Sequence, residues 1–332
     1  MNVGFFEVNE WEIPIIKKHF PHALISADKL LPENAKKYAH LEAISTFIYS
    51  QLNSSVLVQF PRLKCIATRS TGYDHIDIKY CARNDIAVSN VPRYGDRTVA
   101  EFAFALLLSL TRRIYESVAM TKLGSFDNDN FTGIDLHNKT LGIVGFGKIG
   151  QEVAKIAKGF EMKIIVYNRS HDQALEKELG FKYVELDYLL KHADVVTLHL
   201  PLMPETTHII NKKNILEMKK GVYLINTARG GLIETEALLI GLEKGIIAGV
   251  GLDVLEEEAA LSEEAELISA EFRKKVDLQT LVMDHVLVRH PKVIVTPHNA
   301  FNSKEAIHTI LLTTLQNITA HNEGTPQNTV SV

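Results

Sequence analysis

A glycine-rich turn between a predicted strand and a predicted helix constrains the fold of this chain more than any other feature. Gly145 lies near the end of the apolar run 141–146, Gly147 and Gly150 follow the run, and a helical pattern comes next. There the first glycine permits a tight turn, the second lets the backbone approach a pyrophosphate, and the third lets helix and strand pack closely. The helix N-terminus adds unpaired N–H groups that favour phosphate. We therefore predict a dinucleotide site; a glycine-rich turn without a ligand is the alternative.

Apolar runs separated by helical patterns recur along the chain. The strands predicted in the first hundred residues are 2–6, 23–26, 45–49, 64–68 and 86–89. Those predicted later are 141–146, 163–168, 194–199, 222–227, 248–253 and 293–298. Helices are predicted near 33–41, 98–116 and 303–321. Because parallel strands need a helical crossover between them, the alternation predicts an α/β fold with doubly wound parallel sheets.

The composition argues against several classes of partner. The formal net charge is −4, so no basic excess exists to hold nucleic acid. The two cysteines, Cys65 and Cys81, form no CxxC pair, which argues against a metal site and fits a reducing cytoplasm. No targeting segment is visible, and the apolar stretch 102–110 is far shorter than the roughly 20 residues that cross a bilayer. We expect a cytoplasmic protein with a small-molecule ligand, no metal and no membrane partner.

The end of the second strand after residue 140 bears on which dinucleotide binds. An acid about 20 residues after the glycine turn would bind the ribose hydroxyls of NAD. Here the run 163–167 is followed by Asn168, Arg169 and Ser170. The missing carboxylate removes repulsion of a 2′-phosphate, and arginine binds phosphate well. This pattern favours NADP over NAD; the alternative is an NAD site beside a solvated arginine.

Three polar segments follow three successive predicted strands. They are 226–231 (NTARGG), 253–258 (DVLEEE) and 296–301 (TPHNAF). The carboxyl ends of parallel strands form the ligand-binding edge of an open α/β sheet, so these segments converge there.

In these three segments the chain resembles the D-isomer-specific 2-hydroxyacid dehydrogenases, and within them the D-lactate dehydrogenase and 2-ketoacid reductase branch. The other motifs that carry the resemblance are 71–77 (TGYDHID), 90–94 (NVPRY), 99–101 (VAE), the GFGKIG turn and 199–201 (HLP). Together they cover nearly the whole chain. The resemblance implies a reversible reduction of a 2-keto acid to a D-2-hydroxy acid with NAD(P)H.

The resemblance implies a catalytic group of His298, Glu258 and Arg229. A keto acid accepts a hydride on its carbonyl carbon and a proton on its oxygen, and histidine can carry that proton near neutral pH. A carboxylate beside it orients the ring, and an arginine matches the substrate carboxylate. Composition does not separate Glu258 from Glu256 and Glu257. Glu258 is preferred because it occupies the family position, five residues after Asp253.

The remaining site residues are implied by the resemblance alone. Substrate contacts are Ser70, Thr71 and Gly72, with Arg229, and Tyr94 is a further catalytic residue that would help to position the substrate. The cofactor contacts lie at the pyrophosphate turn, at the adenosine side and at the nicotinamide end. They are Gly145, Gly147, Lys148, Ile149, Gly150, Asn168, Arg169, Ser170, His199, Leu200, Pro201, Thr206, Thr227, Ala228, Arg229, Asp253, His298 and Ala300.

The resemblance also divides the chain into nested domains. A flavodoxin-like substrate domain would comprise residues 1–100 plus 299–332, and a Rossmann cofactor domain residues 101–298. Substrate would bind in the cleft between them. The charged segment 256–291 is interpreted as a surface insertion between the fifth and sixth strands of the cofactor domain. A homodimer is expected, with the apolar helix starting near Thr98 and the loop after it as candidate interface.

Two alternatives stay open at this point. The function implied is D-lactate dehydrogenase-like, but Asn302 stands where the lactate branch commonly has a tyrosine, which leaves a broader 2-ketoacid reductase open. The alternative enzyme is a glyoxylate or hydroxypyruvate reductase. The alternative from another class is a nucleotide-sensing, corepressor-like binding protein without catalysis.

Overall fold

The computed structural model describes residues 1–262 and 276–330, and the contacts divide the chain into two units. The first comprises Met1–Tyr94 with Ser303–Val332, and the second comprises Gly95–Asn302. The domain boundary predicted from the sequence lies at residue 100, inside a helix that begins at Asp96. Since a helix packs as one body, the observed division falls before the helix.

The first unit contains a five-stranded parallel sheet of order β2-β1-β3-β4-β5. Its strands are β1 (Val3–Phe5), β2 (Leu24–Ile25), β3 (Ala43–Thr46), β4 (Cys65–Thr68) and β5 (Ala87–Ser89). Helices α1 (Ile13–His19), α2 (Ser54–Leu57) and α3 (Ile78–Arg83) connect them, with 3-10 turns at Glu10–Glu12 and Ala35–Tyr38. The helix predicted near 33–41 is thus only a short turn. The strand predicted at 45–49 begins two residues earlier, and Tyr49 N donates instead to the Glu7 carboxylate.

The second unit contains a seven-stranded parallel sheet of order β12-β11-β10-β9-β6-β7-β8. Its strands are β6 (Thr140–Val144), β7 (Lys163–Tyr167), β8 (Lys182–Tyr183), β9 (Val195–Leu198), β10 (Val222–Asn226), β11 (Ile247–Leu252) and β12 (Val293–Val295). The chain order reverses between β6 and β9, and ligands of such sheets bind outside the strand ends at that point. The sequence missed β8, because its two residues, Lys182 and Tyr183, do not form an apolar run.

The helices of the second unit pack on both faces of this sheet. They are α4 (Asp96–Thr111), α5 (Ile114–Lys122), α6 (Lys148–Gly159), α7 (Gln173–Leu179), α8 (Leu186–His192), α9 (Thr235–Glu243), α10 (Glu258–Ser262) and α11 (Leu278–Arg289), with 3-10 turns at Asn214–Glu217 and Gly230–Leu232. The single helix predicted over 98–116 is two helices, because Arg113 between them adopts a left-handed conformation (φ 52°). No helix in the described ranges is long and apolar enough to span a membrane.

The segment predicted as a surface insertion, 256–291, is integrated into the second unit where the structure describes it. Leu287 of α11 is fully buried and belongs to the main core cluster with strands β9 to β12. Leu281 and Asp284 of the same helix are also buried. The interpretation as a surface excursion is therefore wrong for α11; residues 263–275 lie outside the described residues.

The C-terminal helix α12 (Lys304–Asn322) returns to the first unit, near the predicted range 303–321. Leu311, Leu315 and Ile318 are buried against Val3 and Cys65. This apolar face explains why a segment so distant in sequence belongs to the first unit.

The first unit contains a buried ion pair. Arg69 is 2% exposed and Glu12 is 4% exposed, with 3.4 Å between Arg69 Nε and Glu12 Oε1. Arg69 also donates to Phe6 O and Glu7 O, at 2.7 Å each. Removing one partner of such a pair leaves an uncompensated buried charge.

We expect Arg69→Met to lower the free energy of unfolding by about 3–5 kcal/mol, measured by urea denaturation, because Glu12 would stay buried without its cation. Arg62→Met, at an exposed arginine of the same unit, is the control and should change it by less than about 0.5 kcal/mol. Equal effects of the two substitutions would contradict the structural role of the buried pair.

Candidate active site

The glycine turn after β6 has the geometry of a phosphate site. Gly145 has φ +95°, and a Cβ there would lie 2.6 Å from His199 O. A Cβ on Gly150 would lie 2.4 Å from Gly145 O, so this position also requires glycine. At Gly147, the N-cap of α6, a Cβ would meet nothing within 4 Å, and no side chain caps the helix. Open space beside Gly147 and a helix N-terminus without a side-chain cap fit a pyrophosphate.

The loop after β7 carries the amide of Asn168 at the position where a carboxylate would bind the ribose hydroxyls of NAD. Asn168 Oδ1 accepts a hydrogen bond from Phe146 N (3.1 Å), and its Nδ2 donates to Ser170 O (2.6 Å). Asn168 therefore ties this loop to the glycine turn. Arg169 is exposed, with no hydrogen bond or ion pair to any residue that the structure describes. Its guanidinium is available to an anion.

The residues after β9 form a closed turn beside the glycines. Thr206 Oγ1 donates to Pro201 O (2.7 Å) and accepts from Met203 N (2.8 Å). His199 Nε2 lies 2.9 Å from Thr197 Oγ1. Burial lowers the pKa of His199 to about 3, so its imidazole is neutral. Leu200 is half-buried at the same turn.

Two buried polar atoms lack a partner at the ends of β10 and β12. They are Thr227 Oγ1 and Asn299 Oδ1, neither of which meets a hydrogen-bond partner among the described residues. Buried polar atoms nearly always have a hydrogen-bond partner, so two atoms without one mark a place where polar groups of a ligand fit. Together with the open first turn of α6, these atoms fit a nicotinamide dinucleotide. Ala228 and Ala300, predicted at the same end, are half-buried and buried.

A histidine and a glutamate meet at this edge of the sheet. His298 Nδ1 lies 2.7 Å from Glu258 Oε1. Glu258 Oε2 also accepts from Leu255 N at 3.3 Å. The His298 and Glu258 side chains are 31% and 40% exposed, so the pair stays accessible to a substrate.

His298 is held in place by a buried carboxylate. Its φ of +51° lies in the left-handed region, which non-glycine residues adopt only where the surroundings impose it. Asp253, 1% exposed, accepts from Thr296 Oγ1 (2.5 Å) and Asn299 N (3.0 Å) on one oxygen, and from Ala300 N (2.8 Å) on the other. Burial raises the pKa of Asp253, and these hydrogen bonds partly oppose the rise. Asp253 therefore positions the His298 loop; its cofactor contact stays a prediction.

Arg229 follows β10 on a tightly held segment. Asn226, 1% exposed, donates from Nδ2 to Arg229 O (2.9 Å) and accepts from Ala228 N (3.0 Å). A Cβ on Gly230 would lie 2.0 Å from Leu255 O, so glycine is required for the two segments to touch. The Arg229 segment therefore packs directly against the turn that leads to Glu258.

The structure separates the three consecutive glutamates. Glu256 accepts from His208 Nε2 (2.6 Å) and Thr235 N (2.7 Å), and Glu257 accepts from Asp277 N (3.3 Å). Among the three, the one that the structure brings to His298 is Glu258. Composition could not have made this distinction, because the partners come from separate parts of the chain.

Ser70, Thr71 and Gly72 lie on a hydrogen-bonded loop after β4. Tyr94 is the last residue of the first unit before Gly95 begins the second. Ser70 Oγ donates to Gly72 O (2.6 Å), and Val91 N donates to Ser70 O (2.9 Å). Thr71 Oγ1 donates to Val91 O (2.8 Å). Tyr94 is half-buried. Their role in binding stays a prediction.

Comparison with known proteins gives consistent matches. The family model "D-isomer specific 2-hydroxyacid dehydrogenase, NAD binding domain" matches residues 104–300. Glyoxylate reductase of Thermococcus litoralis is 41% identical over 267 residues, covering 78% of this chain and 81% of that protein. D-lactate dehydrogenase kk1H of Curvularia clavata is 34% identical over 329 residues, covering 98% and 89%. The structure of D-lactate dehydrogenase from Aquifex aeolicus, complexed with NAD and lactic acid, matches with a TM-score of 0.84 and 35% identity, covering 97% and 96%.

The fold and the matches define an oxidoreductase that uses a nicotinamide cofactor and acts on the CH–OH group of donors. The chain belongs to the D-isomer-specific 2-hydroxyacid dehydrogenase family. The family resemblance and the fold class predicted from the sequence are both confirmed.

Proposed function

We propose that this chain reversibly reduces a 2-keto acid to a D-2-hydroxy acid with His298 as the acid/base. The observation that carries the proposal is the 2.7 Å contact between His298 Nδ1 and Glu258 Oε1, on the strand edge that also presents Arg229. An imidazole bonded to a carboxylate through one nitrogen presents its other nitrogen for proton transfer.

The chemistry divides between the cofactor and this chain. When bound, the nicotinamide supplies the hydride that forms the new C–H bond at the carbonyl carbon. His298 Nε2 gives its proton to the carbonyl oxygen as the C=O double bond becomes a C–O single bond, and it takes the proton back in the reverse direction. Glu258 holds the ring orientation and stabilises the imidazolium through Nδ1. Asp253 keeps the loop of His298 in its left-handed conformation.

Arg229 would bind the substrate carboxylate. A guanidinium is always charged and offers a planar fork that matches a carboxylate with two parallel hydrogen bonds. The same charge beside the carbonyl stabilises negative charge that develops on its oxygen. The backbone of Ser70, Thr71 and Gly72, with Tyr94, would add further contacts to the substrate. In this proposal the first unit is the substrate domain and the second is the cofactor domain.

The cofactor preference proposed is NADP. Three features support it: Asn168 supplies no negative charge, its Oδ1 is engaged by Phe146 N, and Arg169 is exposed beside it. A 2′-phosphate would meet a cation and no carboxylate at this position.

We expect Asn168→Asp to lower the ratio of kcat/KM with NADPH to kcat/KM with NADH by roughly 10- to 100-fold, since a charge-assisted hydrogen bond to ribose is gained and a phosphate is repelled. Steady-state kinetics with both cofactors measures the ratio. Asn168→Ala is the control, because it removes the same amide without adding charge and should move the ratio much less. An unchanged ratio in Asn168→Asp would contradict the selectivity role.

The substrate class is tested by a panel of pyruvate, phenylpyruvate, glyoxylate and hydroxypyruvate, each with NADH and NADPH. Relatives named glyoxylate reductase and D-lactate dehydrogenase both support a small 2-keto acid. Asn302 in place of a tyrosine favours the glyoxylate or hydroxypyruvate alternative over strict pyruvate specificity. If no member of the panel oxidises either cofactor, the reductase proposal fails and a nucleotide-sensing binding protein becomes the better account.

The proposed assembly is a homodimer formed through α5 and the loop after it. Apolar side chains there are exposed in the single chain: Ile114 (47%), Tyr115 (69%), Val118 (46%), Leu123 (81%) and Phe126 (85%). Such a patch usually marks an interaction surface. The proposed compartment is the cytoplasm, in keeping with Cys65 and Cys81 as buried free thiols.

A further inference from the structure

We propose that Asp284, acting with Thr235, is a positioning residue that fixes the turn 255–257 and thereby holds Glu258 against His298. This inference rests on the proposed function, since it concerns how the same acid/base pair is oriented. Neither residue was singled out by any sequence motif. Both are buried, Asp284 completely and Thr235 at 3% exposure, and neither touches His298 directly.

The turn that precedes Glu258 is held from its far side by hydrogen bonds. Glu257 N donates to Asp284 Oδ2 at 3.0 Å. Glu256 Oε2 accepts from Thr235 N at 2.7 Å, and Glu256 Oε1 contacts His208 Nε2 at 2.6 Å. Two successive residues of the turn are thus fixed just before α10 begins at Glu258.

Thr235 and Asp284 link this turn to two helices. Thr235, the first residue of α9, donates from Oγ1 to Asp284 Oδ1 at 3.1 Å. Asp284 lies on α11, so its carboxylate joins the start of α9, the middle of α11 and the turn. Its two oxygens serve different donors, one from Thr235 and one from Glu257. A movement of Asp284 would therefore shift the backbone of the residue adjacent to Glu258.

An ionised carboxylate is costly to bury at position 284. Burial raises the pKa of Asp284 to about 6; the hydrogen bonds from Glu257 N and Thr235 Oγ1 oppose this rise, and the nearby carboxylates of Glu256 and Glu257 add to it. A carboxyl whose pKa is higher in the folded state stabilises the fold below its unfolded pKa, and that contribution is lost as the pH rises through about 6. At neutral pH the cost of burying the charge is offset in part by the hydrogen bonds that Asp284 accepts from Thr235 Oγ1 and Glu257 N. The helix α11 does not need Asp284 as a cap, because Asp277 accepts from Gln279 N and Thr280 N.

The geometry gives the carboxylate a function at the site instead. The Glu258 side chain is not buried, so packing alone does not fix it. Its direction depends on the backbone at residues 255–258, which is what Asp284 and Glu256 hold. Small displacements of a catalytic pair have large effects on turnover, about 100-fold for 1 Å.

The test compares Asp284→Leu with Asp284→Asn. Leucine keeps the branched shape and removes both acceptors, whereas asparagine can still accept from Glu257 N and donate to the hydroxyl of Thr235. We expect Asp284→Leu to lower kcat for the best keto acid by roughly 10- to 100-fold. The dissociation constant for the reduced cofactor, measured by calorimetry, should not change. Asp284→Asn should keep most of the wild-type kcat.

Thr235→Val and Thr235→Ser provide an independent pair. Valine removes the hydroxyl and keeps the branched shape, whereas serine retains the hydroxyl and loses the methyl group. We expect kcat to fall in Thr235→Val and to be largely restored in Thr235→Ser. If Asp284→Leu does not fold, this pair decides the question alone. Gln279→Ala, at an exposed position of the same helix as Asp284 whose side chain has no hydrogen bond to the described residues, is the control and should keep wild-type kcat.

A crystal structure of Asp284→Leu gives a readout that does not depend on turnover. We expect the contact of His298 Nδ1 with Glu258 Oε1 to lengthen beyond hydrogen-bond distance. Wild-type kcat in both Asp284→Leu and Thr235→Val, with that contact unchanged, would overturn the positioning role. An equal loss of kcat, cofactor binding and melting temperature in every variant would also overturn it, as a general structural effect. Absence of turnover in the wild type would instead contradict the proposed function.

Discussion

His298→Ala should lower turnover of the keto acid by roughly 100- to 10,000-fold, the span that general acid–base catalysis contributes. The cause is the loss of the proton donor to the carbonyl oxygen, so kcat should fall far more than cofactor binding, which keeps its contacts at the glycine turn. Steady-state kinetics under saturating cofactor measures the effect. Added imidazole should restore part of the rate in this variant, because it supplies the missing acid.

His290→Ala is the matched control for this substitution. His290 lies shortly before β12 and accepts from Lys292 N through Nδ1 at 3.2 Å, so it makes a local structural bond. Turnover of this control should be close to that of the wild type. A His298→Ala enzyme as fast as His290→Ala would remove His298 from the reaction.

Arg229→Met should lower kcat/KM for the keto acid by roughly 100- to 1,000-fold, the effect of removing a preorganised donor from a developing negative charge. The KM for the keto acid should also rise, because the carboxylate loses its partner. Arg229→Lys keeps the charge but loses the planar fork, so we expect an intermediate loss. Binding of the reduced cofactor should be retained in both variants.

The comparison of neutral and charged substrates sharpens the Arg229 experiment. A methyl ester of the keto acid lacks the carboxylate charge, so Arg229→Met should discriminate much less between acid and ester than the wild type does. Unchanged discrimination would show that another group binds the substrate carboxylate.

The sequence predicted most of the strands because buried parallel strands are continuous apolar runs. The five-stranded and seven-stranded sheets follow that pattern, with the ends shifted by one or two residues at most places. The failures have local causes. The short strand β8 is formed by Lys182 and Tyr183, which make no apolar run, and the break at Arg113 depends on a left-handed backbone that composition does not reveal.

The sequence predicted which residue types form the candidate site, but only the structure shows which of these residues contact each other. Motif position placed Glu258 with His298, but the chemistry of three consecutive glutamates is the same. Their separation depends on His208, Thr235 and Asp277, which lie 20 to 48 residues away in the chain. Such contacts leave no periodic signal in a single sequence.

The positioning roles of Asp253 and Asp284 were not predicted, for the same reason. Asp253 was predicted at the strand end, but its bonds to the 296–300 loop span 43 to 47 residues. Asp284 lies in a segment that the charge pattern marked as a surface insertion, although it is completely buried. A buried acid on an otherwise apolar helix face is the signal that could have identified it.

The stereochemistry of the product tests the central claim most directly. The enzyme is incubated with the best keto acid of the panel and the reduced cofactor, and the 2-hydroxy acid is resolved by chiral chromatography. The account predicts the D-isomer in the wild type, formed in step with cofactor oxidation, and almost none in His298→Ala. The L-isomer, or cofactor oxidation without a 2-hydroxy acid, would contradict it.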